Sequence, residues 1–142
     1  MAQRLRARDR RSSNCRRLAA LAADRVNASL AELATPLQPA VLRLIDRVVG
    51  AARAHRRHVA VCGEAAADPE VIPLLAGLGV DELSVAPGSV SAVRAQTREL
   101  RAIACRELAS AALRATDLEQ VRTLIRAASG EIRAGSEIEQ PI

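Results

Sequence analysis

The segment from residue 58 to residue 87 constrains the fold of this 142-residue chain more than any other. Its first part, Val59-Ala60-Val61, is a short β-branched run that predicts a strand buried on both faces, as in a parallel sheet. Residues 83–85, Leu-Ser-Val, are predicted to form the next strand, and the residues between the two strands predict a helix. The segment is therefore a βαβ unit, with Cys62 where the first strand becomes a loop. Because α/β folds bind ligands at the carboxyl ends of strands, Cys62 occupies a candidate functional position.

The helix inside this unit has start and stop signals in the sequence. Asp68 is predicted to cap it, Pro69 to take its first position and Glu70 to lie in its first turn. Gly77 and Gly79 predict its end, because glycine readily adopts the left-handed conformation that ends helices. The Gly-Leu-Gly pattern is too short to indicate a phosphate-binding loop.

Helices are also predicted on both sides of the βαβ unit. The spacing of apolar residues and the breaks at Pro and Gly place them at residues 18–33, 39–56, 89–100, 102–115 and 118–129. Five apolar residues of the second of these share one face: Val41, Leu42, Ile45, Val48 and Val49. A capping box at residues 116–119 opens the last helix, and Gly130 is predicted to end it. Strands that alternate with helices indicate an α/β fold.

The charge is concentrated at the start of the chain. Residues 1–17 hold seven arginines and one acid, a net charge of +6, whereas the remainder has fourteen arginines against fifteen acids, a net charge of −1. A basic arm of this kind can bind nucleic acid or anionic lipid through counterion release. The chain has no aromatic residue for base stacking and no recognised nucleic-acid-binding motif, so a solvated, disordered leader is the favoured interpretation.

The cysteines and the hydropathy indicate the compartment. Cys15, Cys62 and Cys105 are odd in number and widely spaced, without the paired spacing of a metal site, which is typical of free thiols in a cytosolic protein. No apolar run approaches the 18 or so residues that a membrane span needs. The basic start is not followed by the apolar core and cleavage site of a secretory signal. The sequence therefore predicts a cytoplasmic protein without a membrane partner.

Residues 61–84, which begin Val-Cys-Gly-Glu and end Asp-Glu-Leu-Ser, resemble a known enzyme family. This family is enzyme I of the bacterial phosphoenolpyruvate:sugar phosphotransferase system, in its C-terminal phosphoenolpyruvate-binding domain. Pyruvate phosphate dikinase and the wider group of phosphoenolpyruvate-utilising enzymes are similar but less close. The resemblance extends upstream through residues 23–27 and 36–45 and covers roughly residues 22–125.

The resemblance implies a fold and a domain layout. The fold is α/β, the C-terminal part of a (β/α)8 TIM-like barrel with two or three short parallel strands and several helices. A complete barrel takes about 250 residues, so the chain is expected to be a fragment whose strand edges further strands would cover. The expected layout is a disordered basic leader at 1–17, a partial barrel at 18–129 and a flexible tail at 130–142.

The resemblance also implies the residues of a phosphoenolpyruvate site. Cys62 stands where the family has its general acid. This residue gives a proton to the enolate that remains when the phosphoryl group departs. Thiols are mostly protonated at neutral pH, which suits a proton donor. Arg25, in an Asp-Arg-x-Asn motif, stands where the family has a phosphate ligand, and a guanidinium offers phosphate a planar fork of donors. Asn14 falls at a second phosphate-binding position. Gly63 and Glu64 are expected to shape the turn and orient the thiol.

Without the resemblance, these residues have structural interpretations. Cys62 would be a small buried apolar residue, and Arg25 a surface arginine among twenty others. Cys105, within a predicted helix and without a partner, is interpreted as a core residue. His55 and His58 match no histidine of the family and are predicted to lie at the surface or at helix ends.

The magnesium site of the family is expected to be incomplete in this chain. Cys15 stands where the family has an aspartate that ligates Mg2+, and thiolate suits softer metals than this oxygen-seeking ion. The second metal ligand, a glutamate, and the phospho-accepting histidine belong to parts of the family that this chain is expected to lack. No metal ligand is therefore assigned. Because the ion neutralises charge in phosphoryl transfer, the isolated chain is predicted to be inactive as an enzyme.

The resemblance implies phosphoenolpyruvate as the ligand and a role in sugar uptake. It also implies a homodimer or pairing with full-length enzyme I, because the family dimerises through this domain. A phosphocarrier protein would be a partner only if the missing N-terminal domain were supplied. Two alternatives stay open: a catalytically inactive dimerisation or regulatory module, and a nucleic-acid binder that acts through the basic arm. A standalone enzyme of the dikinase group would need a metal site from another subunit.

Overall fold

The computed structural model describes residues 35–133. Its helices and strands are α1 (Pro39–Ala54), β1 (Ala60–Cys62), a 3-10 turn (Glu64–Ala66), α2 (Ile72–Leu78), β2 (Glu82–Ser84), a second 3-10 turn (Pro87–Ser89), α3 (Val90–Glu99), α4 (Ala102–Arg114) and α5 (Leu118–Ile132). The predicted leader at 1–17 and the predicted helix at 18–33 lie outside the described residues, as do residues 134–142. None of the described helices is long and apolar enough to cross a membrane.

The predicted βαβ unit is confirmed. Strands β1 and β2 pair in parallel, with Val61 opposite Leu83, and helix α2 lies between them in the chain. Strand β1 begins one residue later than predicted, at Ala60. The predicted burial on both faces is wrong for the described residues: Val61 is 1% exposed, but Ala60 and Cys62, which point to the opposite face, are only half-buried. One face of the strand pair packs on the core, and the other is more open.

Helix α1 packs on the core through the predicted apolar face. Four of the five predicted residues, Val41, Leu42, Ile45 and Val49, are buried, and Val48 is half-buried. Pro39 takes the first helical position, where its missing N–H costs no hydrogen bond. The spacing of three and four residues therefore determines which side of α1 faces inward.

The ends of α2 differ in part from the prediction. The Asp68 carboxylate accepts a hydrogen bond from the Glu70 N–H at 2.9 Å, but the regular helix begins only at Ile72. Gly79 ends the helix as predicted, in the left-handed conformation with φ of 84°. The prediction that Gly77 also ends it is wrong, because Gly77 lies inside α2.

Gly77 allows α2 to pack closely against α4. A Cβ atom at this position would overlap the carbonyl oxygen of Cys105 and would lie 2.8 Å from the Cβ of Ala109. Helix α4 contacts α1 and α5 as well as α2, so it lies at the centre of the helical layer. Its buried face consists of small and medium side chains: Cys105, Leu108, Ala109 and Ala112. Gly77 is thus a packing residue rather than a stop signal.

Helix α5 begins at Leu118 as predicted, but its cap and its end differ from the prediction. Its N-cap is Asp117, whose carboxylate accepts a hydrogen bond from the Gln120 N–H at 2.8 Å. The Gln120 side-chain amide in turn accepts from the Thr116 N–H and donates to the Thr116 hydroxyl. The capping box is therefore shifted by one residue from the predicted pair at 116 and 119. The helix runs through Gly130 to Ile132, so the end predicted at Gly130 is wrong. Ile132 is buried, and its carbonyl accepts from the Arg101 N–H at 2.8 Å.

Arg43 connects α1 to the end of α4. Its guanidinium donates from Nε to the Leu113 carbonyl at 3.0 Å and from Nη2 to the Ala115 carbonyl at 2.6 Å. The last carbonyls of a helix have no partner within it, and a cation there also interacts favourably with the helix dipole. Arg43 therefore fixes α1 against the turn between α4 and α5.

Replacement of Gly77 by alanine tests the packing of α2 on α4. We expect Gly77→Ala to lower the free energy of unfolding by about 1–3 kcal/mol, because the backbones of the two helices must separate. Urea denaturation measures this loss. Gly50→Ala is the matched control: Gly50 also lies inside a helix, but nothing lies within 4 Å of its Cβ position. We expect this control to raise stability by about 0.5–1 kcal/mol; equal effects at the two positions would contradict the packing role.

Replacement of Arg43 by glutamine tests the link between α1 and α4. We expect Arg43→Gln to lower the free energy of unfolding by about 1–2 kcal/mol, because two carbonyls lose a charged donor. Arg47→Gln, one helical turn later at another exposed position, should change it by less than about 0.5 kcal/mol. Denaturant midpoints of the two variants provide the comparison. A loss in Arg47→Gln as large as in Arg43→Gln would show that the two hydrogen bonds contribute nothing specific.

Candidate functional site

Cys62 ends β1 and is half-exposed at the carboxyl edge of the strand pair. The next residue, Gly63, has φ of 94° and ψ of −162°. This region of backbone space is accessible almost only to glycine, because a Cβ atom would clash with the residue's own backbone. The Cys-Gly sequence therefore turns the chain sharply directly after the thiol.

Hydrogen bonds hold this turn in place. The Gly63 N–H donates to the Ser84 carbonyl at 3.2 Å and so extends the strand pairing by one residue. The Gly63 carbonyl accepts from the Ala66 N–H at 3.1 Å and opens the 3-10 turn. Ala65 and Ala66 are buried, whereas Glu64 is exposed. The loop is thus anchored in the core beside Cys62, and the thiol stays half-exposed.

Ser84 is the neighbour of Cys62 across the strand pair. The two residues are paired in the parallel register, and paired residues point to the same face of a sheet. Ser84 is exposed, and its hydroxyl makes no hydrogen bond to any residue between 35 and 133. Sequence reasoning missed Ser84 as a site residue. The available signal was its place at the end of the second predicted strand, the position that Cys62 takes in the first.

The amino ends of the strands carry a separate polar pair. His58 Nε2 lies 3.9 Å from Glu82 Oε2, and both side chains are well exposed, so the interaction contributes little to stability. Asp81 accepts a hydrogen bond from the Val59 N–H at 2.8 Å. The prediction that His55 and His58 lie at the surface or at a helix end is confirmed: both are exposed, and His55 caps α1. His58 lies four residues before Cys62 in the chain and Glu82 lies two residues before Ser84, so the pair is at the opposite end of the strands from Cys62.

The other described cysteine is structural. Cys105 is 1% exposed in α4, and burial raises the pKa of its thiol above the usual range for cysteine. A buried thiol with a raised pKa forms little thiolate and reacts slowly. The prediction that Cys105 is a core residue is confirmed, so of the two described cysteines only Cys62 is available to a ligand.

The described residues contain one part of the predicted site. Cys62, Gly63 and Glu64 lie together at the edge of the sheet, whereas Arg25 and Asn14 lie outside the described residues and stay predictions. Within residues 35–133, no three His, Cys, Asp or Glu side chains come together in a way that could hold a metal ion. The described residues alone therefore do not fit a Mg2+ site, and Cys15 lies outside them.

An open groove lies at the turn between α4 and α5. Its volume is about 640 Å³, and it is lined by Ala111, Arg114, Ala115, Asp117, Glu119, Gln120, Thr123 and Leu124. None of these residues belongs to β1, β2 or the loops that follow them. The groove is thus a different place from the edge of the sheet where Cys62 lies.

Comparison with known proteins assigns the chain to a family. Residues 17–102, more than half of the chain, match the family described as PEP-utilising enzyme, PEP-binding domain. The chain belongs to this family. The matched range contains both strands, Cys62 and Ser84, so the carboxyl edge of the strand pair lies within this PEP-utilising domain.

Curated relatives share this region. A multiphosphoryl transfer protein of Xanthomonas campestris pv. campestris is 49% identical over 104 residues, which is 73% of this chain and 12% of the relative. One from Rhodobacter capsulatus is 48% identical over 105 residues, 74% of this chain and 13% of that protein. A phosphoenolpyruvate-protein phosphotransferase of Bacillus sp. (strain S) is 46% identical over 80 residues, 56% of this chain and 14% of that protein. The chain thus spans only about an eighth of the length of each of these relatives.

Replacement of Gly63 tests whether the turn after Cys62 depends on glycine. We expect Gly63→Ala to lower the free energy of unfolding by about 1–3 kcal/mol, since its φ and ψ are accessible almost only to glycine. Nothing lies within 4 Å of the added Cβ, so the loss comes from the backbone conformation alone. Gly88→Ala, where the space is equally open and φ is not positive, should raise stability by about 0.4–1 kcal/mol. Urea denaturation compares the two, and equal stabilities would contradict a strained turn.

Proposed function

We propose that this chain forms part of the phosphoenolpyruvate-binding site of a phosphoenolpyruvate–protein phosphotransferase that serves sugar uptake. The observation that carries the proposal is the family match, which spans a half-exposed thiol at the carboxyl end of a parallel strand. Ligands of α/β folds bind at this edge. The relatives' names describe proteins that transfer phosphoryl groups, and one of them names phosphoenolpyruvate.

In the proposed role, Cys62 acts as general acid. When the phosphoryl group leaves phosphoenolpyruvate, the enolate of pyruvate remains, and the Cys62 S–H bond breaks as its proton forms a C–H bond at the methylene carbon. The products are pyruvate and a thiolate. The turn at Gly63 supports this role because it directs the chain away from the Cys62 thiol, which stays half-exposed at the edge of the sheet.

Arg25 and Asn14 are proposed to bind the phosphate. A guanidinium donates two parallel hydrogen bonds to phosphate oxygens, and an amide adds a neutral donor. Together they would hold the phosphoryl group while Cys62 lies over the carbon end of the ligand. Magnesium, when bound in this family, neutralises the charge of the phosphoryl group. Cys15 stands at one of its ligand positions and suits softer metals, so the chain alone is proposed to bind phosphoenolpyruvate without transferring its phosphate.

The two strands are proposed to belong to a (β/α)8 barrel that further chain completes. Support comes from the parallel pairing and from the different exposure of the two faces: Val61 packs on the helices, whereas Cys62 and Ser84 face away from them. In a barrel this more open face would line the interior, where the layers of side chains fill the space. The phosphocarrier protein would be a partner of the complete enzyme only.

A second candidate is a dimerisation or regulatory module. Among residues 35–133, β1 and β2 form a two-stranded sheet, so neither outer edge is paired by a described strand. Unpaired edges readily add strands from another chain. A second copy or a full-length relative could cover them, and light scattering of the chain alone and of a mixture would detect it.

Protection of Cys62 from alkylation tests the proposed function. We expect millimolar phosphoenolpyruvate to slow the reaction of Cys62 with iodoacetamide at least severalfold, because the ligand would cover the thiol. Peptide mass spectrometry of the full chain distinguishes Cys62 from the other cysteines. Arg25→Ala should abolish the protection, whereas Arg98→Ala, at an exposed position on α3, should retain it.

Two outcomes would overturn this proposal. One is an alkylation rate of Cys62 that does not change with phosphoenolpyruvate concentration. The other is equal protection by inorganic sulfate, which would indicate a general anion effect rather than a site for this ligand.

A further inference from the structure

We infer that Ser84 is a positioning residue for the thiol: its hydroxyl donates a hydrogen bond to the Cys62 sulfur when that sulfur carries negative charge. The inference rests on the proposed function, because it concerns the group that gives up the proton. It adds a residue to the site that neither the motif nor the family match assigns a role. The observations that carry it are the register of the strands and the free hydroxyl.

The register brings the two side chains to the same place. Cys62 pairs with Ser84, so their Cβ atoms lie on one face at about the 5 Å spacing of neighbouring strands. From that spacing, rotation about one side-chain bond in each residue can bring oxygen and sulfur into contact. The Gly63 N–H donates a hydrogen bond to the Ser84 carbonyl at 3.2 Å. This hydrogen bond lies one residue past the last residue pair and so holds the ends of the two strands together.

The hydroxyl is available for this role. A serine hydroxyl is both donor and acceptor, and that of Ser84 has no hydrogen-bond partner among residues 35–133. The other polar side chain of β2, Glu82, is two residues away beside His58 and is acceptor-only when ionised. Among the residues of the two strands, Ser84 is thus the one side chain that can donate to the sulfur.

The chemistry gives the hydrogen bond a function. Transfer of the proton to the methylene carbon of the enolate leaves a thiolate, and a donor directed at a developing charge stabilises it. Ser84 keeps its own proton throughout, so no bond of the serine forms or breaks. The hydrogen bond therefore stabilises the sulfur as the proton leaves it for the carbon.

The test uses a pair of variants that differ only in the hydroxyl. Ser84→Thr keeps the donor and Ser84→Val replaces it with a methyl group of the same shape. Iodoacetamide reacts with the thiolate form of cysteine, so a hydrogen bond that stabilises negative charge on the Cys62 sulfur also affects this reaction. At neutral pH and without phosphoenolpyruvate, we expect Cys62 to react about threefold more slowly in Ser84→Val than in Ser84→Thr.

The controls separate positioning from folding and from ligand binding. Cys105 is buried, so an unmodified Cys105 peptide in the same digest shows that each variant is folded. Ser91→Ala, at an exposed serine of α3, should leave the rate unchanged. Equal rates in Ser84→Thr and Ser84→Val, with Cys105 protected in both, would overturn the inference. Protection by phosphoenolpyruvate is measured separately in each variant, so failure of the proposed function and failure of this inference give different results.

Discussion

The close packing of α2 against α4 at Gly77 is the interaction on which the rest of the described fold depends. Helix α4 contacts α1, α2 and α5, and at Gly77 its backbone approaches α2 so closely that no side chain fits between them. The chain has no aromatic residue, so its core is built from Leu, Ile, Val, Ala and Cys. With such side chains, close approach of helices is an effective way to bury apolar surface without leaving voids.

The site depends on this packing because the strands are short. Strands β1 and β2 have three residues each, too few to be stable as an isolated pair in water. Val61 connects the pair to the core, and α2 joins the two strands in the chain. The position of the carboxyl edge, with Cys62 and Ser84, therefore depends on the helices that pack against the strand pair. At this edge Cys62 stays half-exposed and Ser84 exposed.

Sequence reasoning predicted those parts of the fold that local chemistry determines. The strand–helix–strand order, the buried face of α1, the end of α2 at Gly79 and the core position of Cys105 all follow from periodicity, glycine conformation or burial preference. The wrong predictions concern the ends of helices, at positions where tertiary contacts rather than the local sequence determine whether the helix continues. Gly77 and Gly130 have the same local signal as a helix end, yet one is a packing contact and the other lies before a buried isoleucine. For the site, the motif indicated Cys62 and Gly63, whereas Ser84 became visible only through the register.

Phosphoenolpyruvate is proposed to bind at the carboxyl edge of the β1–β2 pair. Hydrogen–deuterium exchange of the full chain, with and without millimolar phosphoenolpyruvate, tests it most directly, because a ligand slows exchange at the amides that it covers and stabilises. We expect slower exchange in peptides that contain residues 62–66 and 84–86, and no change in peptides from residues 111–124 at the α4–α5 groove. Unchanged exchange at the edge of the sheet, or protection confined to that groove, would contradict it.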